Sequence, residues 1–226
     1  MPPIPTIRRR ALPAATALLG LLVLAGCGSA ASDATALGGE ARPAPYPGRI
    51  GIASEPPGAR CVLTNTADGS RVAEITTPAQ VPLARGAAII DAHCSAPGRM
   101  EATLAIRPVR DFAADIHHPQ PIGTGVVQNA VAVRTGSTRR YNDATVYLPP
   151  TTFASAEARD AWFADRAEAM RRAAAPGIAR AQRAPNATID TADVLERYLQ
   201  EDIARLDQQR AAATIERPTA PPARRR

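Results

Sequence analysis

The side chains that most often carry out chemistry are few in this chain, with three histidines and three cysteines among 226 residues. His93 lies in an alternating, strand-like run, and His117 and His118 stand next to each other. No pair has the His-x-x-x-His spacing that places two imidazoles on one helical face to bind a metal. The sequence also contains no Gly-x-Ser-x-Gly nucleophile motif. These residues therefore predict no catalytic, metal or cofactor site and favour a chain that is not an enzyme.

Two further motifs have a structural interpretation. Gly123-Thr124-Gly125 lacks the third glycine, the lysine and the preceding strand that a phosphate-binding loop needs. His117-His118 precede Pro119, a context typical of a turn. The acidic residues lie mostly among arginines in helix-like stretches, where solvated ion pairs explain them better than paired catalytic carboxylates.

Composition limits the folded body that has to position any site. Only 4% of the residues are aromatic, and 22 prolines and 15 glycines interrupt the chain, so one or two small domains are expected. The net charge of +6 falls by three if Arg8, Arg9 and Arg10 are removed with a signal peptide. No basic stripe alternates with aromatic residues, so a nucleic-acid partner is not expected.

The N-terminus has the organisation of an export signal. Three arginines (Arg8–Arg10) precede an apolar stretch from Ala11 to Ala25 that is too short for a stable transmembrane helix. Residues 1–26 are therefore predicted to be a signal peptide. The stretch ends in Leu24-Ala25-Gly26-Cys27, which resembles the lipobox of bacterial lipoproteins: a branched apolar residue, two small residues and a cysteine.

The resemblance to the lipobox implies a lipid anchor on Cys27. In that family the thiol receives a diacylglycerol, the chain is cleaved before the cysteine, and several acyl chains together give a stable anchor. Gly28 stands where many Gram-negative lipoproteins of the inner membrane have aspartate, which implies the periplasmic face of the outer membrane. In a Gram-positive host the same residues imply the outward face of the plasma membrane. An ordinary secretory signal and an uncleaved membrane anchor are the alternatives.

Residues 27–48 are predicted to be the lipidated N-terminus and a flexible linker. From Gly28 to Pro47 the residues are mostly small, polar or proline, and they show no apolar periodicity. A coil of this length would hold the next domain roughly 25 Å from the membrane.

Residues 49–108 consist of short alternating runs separated by Pro-Gly, Asp-Gly, Thr-Pro and Arg-Gly turn signals. The pattern predicts an antiparallel unit with one packed face and one wet face, on which His93 lies. The predicted fold class is α+β, with a small antiparallel β-sandwich-like domain followed by two C-terminal helices. The residues expected to face inwards are Ile50, Ile52, Cys61, Leu63, Ile90, Ala92, Cys94, Met100, Ala102, Leu104 and Ile106.

Cys61 and Cys94 fall on these inward faces, and export would place them in an oxidising compartment where disulfides form. If Cys27 is acylated, Cys61 and Cys94 are the only two cysteines left to pair with each other. A disulfide that closes a loop of about 33 residues would contribute roughly 3 to 4 kcal/mol. Two buried free thiols or a metal site are the alternatives, but strand alternation points His93 away from Cys94.

The turns of this unit resemble a known family. Ser54-Glu55-Pro56-Pro57-Gly58-Ala59, followed by the strand Arg60 to Asn65, is similar to the opening of a PEGA domain, a β module of bacterial surface proteins. Thr77-Pro78 and Gly98 continue the pattern, whereas Arg99 replaces the usual tyrosine. The resemblance implies that residues 49–108 are an envelope-exposed binding or spacing module without catalysis.

Residues 109–150 are predicted to be an apolar, glycine-containing connector with a strand at Ala144–Leu148. Its apolar run at 122–133 is too short to span a bilayer. The run either packs against the β domain or touches a membrane surface.

Residues 151–214 are predicted to be helical. Ser155 can cap a helix from Ala156 to Ala174, which Pro176-Gly177 would end. A second helix from Ala192 to Ala212 follows a cap at Asp190 or Thr191. Each has an apolar stripe, so the helices pair with each other, dock on a partner or lie on a membrane. Residues 215–226 are predicted to be a disordered tail rich in proline and arginine.

Two functions fit these features. The first is a non-catalytic binding or structural module anchored in the cell envelope through Cys27, with the membrane and an envelope protein or glycan as partners. The second is an accessory subunit of an outer-membrane assembly that docks through the C-terminal helices.

Overall fold

The structure, a computed structural model, describes residues 28–119, 123–184 and 189–216. The chain has the predicted α+β fold, in which mainly antiparallel sheets are followed by two long C-terminal helices. The helices are α1 (Gly28–Leu37), α2 (Gly125–Thr135), α3 (Ala156–Arg183) and α4 (Ala192–Ala212). The strands are β1 (Arg49–Glu55), β2 (Arg60–Asn65), β3 (Arg71–Thr76), β4 (Ala79–Pro82), β5 (Ile90–Ser95), β6 (Ala102–Ile106), β7 (Val109–Arg110), β8 (Arg139–Arg140), β9 (Ala144–Tyr147), β10 (Thr152–Phe153) and β11 (Thr214–Ile215).

Two sheets enclose the main hydrophobic core. One has the strand order β4-β1-β9 and the other the order β3-β2-β5-β6. Alternation decides which side chains are buried, so Ile50 of β1 and both Cys61 and Leu63 of β2 point into the core, as predicted. In β6 the consecutive residues Ala105 and Ile106 are both buried, because α3 and α4 lie over the second face of this strand.

The β core extends beyond the predicted limit at residue 108. The strand predicted at Ala144–Leu148 is β9, which pairs in parallel with β1. The Gly51 main-chain N–H donates to Asp143 Oδ1 (2.7 Å) across 92 residues of sequence. Val146 is 2% exposed and packs among the residues of β1 and β2. The second half of the chain therefore completes one of the two sheets.

Two turns hold each other at one end of the sandwich. The Thr77 N–H donates to the Ala59 carbonyl (2.9 Å), and the Ala59 N–H donates to Thr77 Oγ1 (3.0 Å). The Gly58 N–H donates to the Thr77 carbonyl (2.9 Å), with Gly58 at φ 85°, a conformation that favours glycine. The Pro-Pro-Gly turn before β2 is thus fixed by the turn between β3 and β4.

Residues 28–37 form helix α1, which differs from the flexible linker predicted for this segment. Asp33 is only 3% exposed and pairs with Arg110, while Ala36 and Leu37 are buried. These contacts come from distant parts of the chain, so they leave no apolar periodicity within the segment itself. The start of the described chain is therefore attached to the folded body.

Helix α3 runs to Arg183, although Pro176-Gly177 predicted an earlier end. A proline inside a helix removes one main-chain hydrogen bond and costs about 3 kcal/mol. Contacts with the α1 segment stabilise the turns beyond it: Arg183 Nε donates to the Ala36 carbonyl (2.9 Å), and Arg180 and Arg183 donate to Glu40 (2.8 and 2.7 Å). The two arginines also hold the pKa of the Glu40 carboxyl below its ordinary value.

Helices α3 and α4 pack on each other, which is the first of the three arrangements that their apolar stripes allowed, and α4 has the predicted bounds. Ser155 Oγ accepts a hydrogen bond from the Ala158 N–H, and Thr191 Oγ1 accepts one from the Val194 N–H. After α4, β11 pairs with β10, so ordered structure reaches into the predicted tail. The rest of that tail lies outside the described residues.

Candidate functional site

The predicted cysteine pair is present. Cys61 and Cys94 face each other across β2 and β5, are fully buried and form a disulfide. His93 lies on the outer face, with Nδ1 3.0 Å from Thr103 Oγ1 and Nε2 3.2 Å from Glu101 Oε2. The imidazole therefore does not approach the sulfur atoms. Cys27, the predicted lipidation site, lies outside the described residues, as does the predicted signal peptide at 1–26.

The two adjacent histidines have different environments. His118 is 7% exposed, and its Nε2–H donates to the Asp111 carbonyl (2.7 Å), whereas His117 is exposed. Burial, followed by the nearby Arg110 guanidinium, lowers the pKa of His118. Within the ranges that the structure describes, no group of three or more His, Cys, Asp or Glu residues could hold a metal ion.

A cleft between the sheet edge and the two C-terminal helices was not predicted. Its first half has a volume of about 420 Å³ and lies between the β6–β7 segment, α3 and α4. The space is left open because the α3 residues that face it are small, among them Ala173, Ala174, Gly177 and Ala181. The volume is in the range of pockets that hold small ligands.

The second half of this cleft, about 380 Å³, lies between the edge strands β6 and β9 on one side and the helices on the other. Leu104, Tyr147 and Leu206 line it, and the two halves share Met170 and Ala173. They form a single groove, which we call the hairpin cleft. Most of its surface is carbon, and this favours the binding of an apolar group.

Arg107 fixes the position of α4 over the sheet. Its guanidinium forms two hydrogen bonds to Asp202 (3.0 and 2.8 Å) and one to Glu201 (3.1 Å). It also stacks 4.5 Å from the centre of the Tyr198 ring. The Arg107 side chain is only 10% exposed. Arg107 and Asp202 are 95 residues apart in sequence, and their contact holds α4, on one side of the hairpin cleft, against the end of β6 on the other side.

Charged side chains at one end of the cleft are also paired. Asp190, at φ 53°, accepts a hydrogen bond from the Arg110 main-chain N–H and another from Arg139. The Arg110 side chain pairs in turn with the buried Asp33 of α1. Of the two caps that the sequence offered, Asp190 and Thr191, it is Thr191 that caps α4. Asp190 instead ties the β7–β8 pair to the start of α4.

Tyr147, which lines the second half of the cleft, is in contact with Arg166. Its guanidinium pairs with Glu55 (3.1 Å) and lies 4.4 Å from the Tyr147 ring centre and 5.2 Å from that of Trp162. The rim of the cleft is thus built from arginines already engaged with carboxylates and aromatic rings. Such a site can desolvate an apolar group without leaving a buried charge unpaired.

Sequence reasoning missed Arg107 and Asp202, since no local motif connects residues so far apart. The small residues Ala173 and Gly177, four apart on one helix, were the only local trace of the cleft.

No described helix is both long and apolar enough to cross a membrane. We found no match to a family model, to a curated protein or to a solved structure.

Proposed function

We propose that this chain is a non-catalytic lipoprotein of the cell envelope that binds an apolar group of another envelope component in the hairpin cleft. The anchor rests on Leu24-Ala25-Gly26-Cys27 and its resemblance to the lipobox. Gly28 favours the periplasmic face of the outer membrane in a Gram-negative host. The PEGA-like turns of the β domain agree with an envelope-exposed module.

One observation carries the binding role: the hairpin cleft is mainly apolar, while the charged groups at its rim are paired within the protein. A cleft of about 420 Å³ in its larger half can accommodate an acyl chain or a cluster of apolar side chains. Since the rim charges are neutralised, affinity would come from burial of carbon rather than from ionic contacts.

Fatty-acid labelling tests the anchor. Cells producing the wild type or the Cys27→Ala variant are fed a fatty-acid probe, and the membranes are separated. We expect label on the wild type alone, in the outer-membrane fraction of a Gram-negative host. An unlabelled, soluble wild type would refute the lipoprotein assignment.

Filling the cleft tests the binding role. Gly177 faces the cleft, and a Cβ atom there would meet only Leu195 Cδ1 at 3.8 Å, so Gly177→Leu can be introduced without a clash at Cβ. We expect it to weaken binding of the apolar fluorophore N-phenyl-1-naphthylamine about tenfold, a loss of about 1.4 kcal/mol.

Ala175→Leu is the matched control, since Ala175 is exposed on the same helix. It should leave the dissociation constant of the fluorophore unchanged. Equal affinities for the wild type and both variants would show that the fluorophore binds elsewhere, and the cleft would lose its proposed role.

A further inference from the structure

Helix α2 is firmly attached to the folded body along one side. Ala132 is 7% exposed, and Gly136, directly after the helix, lies so close to the β4–β5 loop that a Cβ atom would be 2.0 Å from the Gly86 carbonyl carbon. Gly136 has φ 68°, which also favours glycine. The orientation of α2 is therefore fixed, and its opposite face is presented to the outside.

That outward face is apolar. Val126, Val127 and Val131 are 49%, 70% and 43% exposed, and exposed Ala130 lies between them on the same side of the helix. Three of the five large apolar residues that the described chain exposes are therefore on this one short helix. A contiguous exposed apolar face of this kind marks an interaction surface.

The charges of α2 suit a membrane surface. The helix contains no acidic residue, and Arg134 in its last turn is exposed on the same side as the valines. A short helix with an apolar face and a terminal cation can lie in the headgroup layer of an anionic bilayer. With 11 residues it is too short to cross the hydrocarbon core.

Helix α1, which begins at the residue after Cys27, and helix α2 are attached to neighbouring residues of the folded body. Asp33 of α1 pairs with Arg110, and the next residue, Asp111, donates its N–H to the Thr138 carbonyl just after α2 (3.0 Å). Gly28, the residue bonded to Cys27, lies about 7.5 Å along α1 from Asp33 at 1.5 Å per residue. The segment that follows Cys27 and the end of α2 are therefore held by two consecutive residues, Arg110 and Asp111.

We infer that the valine face of α2 (Val126, Val127 and Val131) is a second membrane contact, seated in the bilayer that holds the acyl chains of Cys27. This inference rests on the proposed function, because it needs the lipid anchor. The folded body then lies on the membrane surface in one orientation instead of swinging on a flexible tether. The occupant of the face is the lipid headgroup and upper acyl region.

Depth-dependent quenching tests the inference on the acylated, full mature chain. With Cys27 acylated and Cys61–Cys94 disulfide-bonded, the Val127→Cys variant offers one free thiol for an environment-sensitive fluorophore. The protein is reconstituted on vesicles of phosphatidylethanolamine and phosphatidylglycerol that contain nitroxide-labelled lipid. Val72→Cys on β3 is the matched control, since Val72 is also an exposed valine, at 36%.

We expect the label at position 127 to be quenched at least about threefold more than the label at position 72, as for a group seated about 5–10 Å into the interface. Equal, weak quenching at both positions of an acylated, vesicle-bound protein would overturn the inference while leaving the proposed function intact. If emission at position 127 changes with protein concentration but not with the amount of nitroxide-labelled lipid, the valine face contacts a second copy of the chain. That result would also overturn the inference. If the parent protein, with Val127 unchanged, carries no acyl chain on Cys27, the proposed function is refuted instead.

Discussion

The ion pair between Arg107 and Asp202 should be a main link between the sheet and α4. Both side chains are largely enclosed, 10% and 23% exposed, and they share two hydrogen bonds of 3.0 and 2.8 Å. A double-mutant cycle with Arg107→Met and Asp202→Ala measures the pair directly, since methionine keeps much of the packing of the arginine stem.

The expected coupling free energy is about 2 kcal/mol. Hydrogen bonds between charged groups contribute roughly 1.5–3 kcal/mol. The remaining exposure of Asp202 keeps the value below the 3–5 kcal/mol that follows when a fully buried pair loses one partner. Asp202→Ala alone should therefore lower the free energy of unfolding by about 2–3 kcal/mol, because it leaves Arg107 with only Glu201 as an ionic partner.

Urea denaturation at pH 7 gives the four free energies of unfolding in the cycle. Glu168 and Arg171 provide the control pair, because they lie 3.7 Å apart on the surface of α3 with side chains 53% and 52% exposed. Their coupling should stay below about 0.5 kcal/mol. A coupling for Arg107–Asp202 no larger than that of the control pair would refute the view that it holds α4 over the sheet.

Two further predictions concern the interior. Replacing Cys61 and Cys94 together by alanine should lower the free energy of unfolding by about 3 to 4 kcal/mol, because the disulfide no longer closes the 33-residue loop in the unfolded chain. Urea titrations measure the loss, and a value below about 1 kcal/mol would contradict this prediction. Since the pKa of folded His118 lies below its ordinary value of 6.5, the unfolded chain binds more protons as the pH falls through 6.5. Stability should therefore fall with decreasing pH by up to about 1.4 kcal/mol per pH unit from this group, and the dependence should vanish well above pH 6.5, where His118 is neutral in both the folded and the unfolded state. His118→Gln should remove that part of the slope, and an unchanged slope would count against the buried neutral imidazole.

Strand alternation and helix caps carried most of the correct predictions. The period of two in β2 and β5 places Leu63, Cys61 and Cys94 in the core, and from this placement the disulfide follows. Thr191 and the acidic residue in the first turn mark the beginning of α4. Each of these signals acts within a few residues, so the local chain contains all the information needed.

The differences arose where distant residues decide the structure. Residues 28–37 have no apolar stripe that would predict a packed helix, since α1 depends on Arg110 for its buried carboxylate and on α3 for its packing. Pro176 correctly marks a local cost, but the packing of α1 on α3, together with the contacts that Arg180 and Arg183 make to the α1 segment, offsets it. The same α1 contacts replace the predicted flexible linker by a helix attached to the folded body.

The sequence by itself determined the α+β class, the inward faces of the strands, the cysteine pair and the position of α4, and the export and lipidation signal stays a prediction from the sequence. Only the tertiary structure decided that β9 completes the sheet of β1, that α1 is attached, and that a cleft separates the sheet edge from α3 and α4. The physical reason is range. Alternation and capping are short-range properties of the chain, whereas the pairs Gly51–Asp143 and Arg107–Asp202 form only after the chain has folded back over 92 and 95 residues.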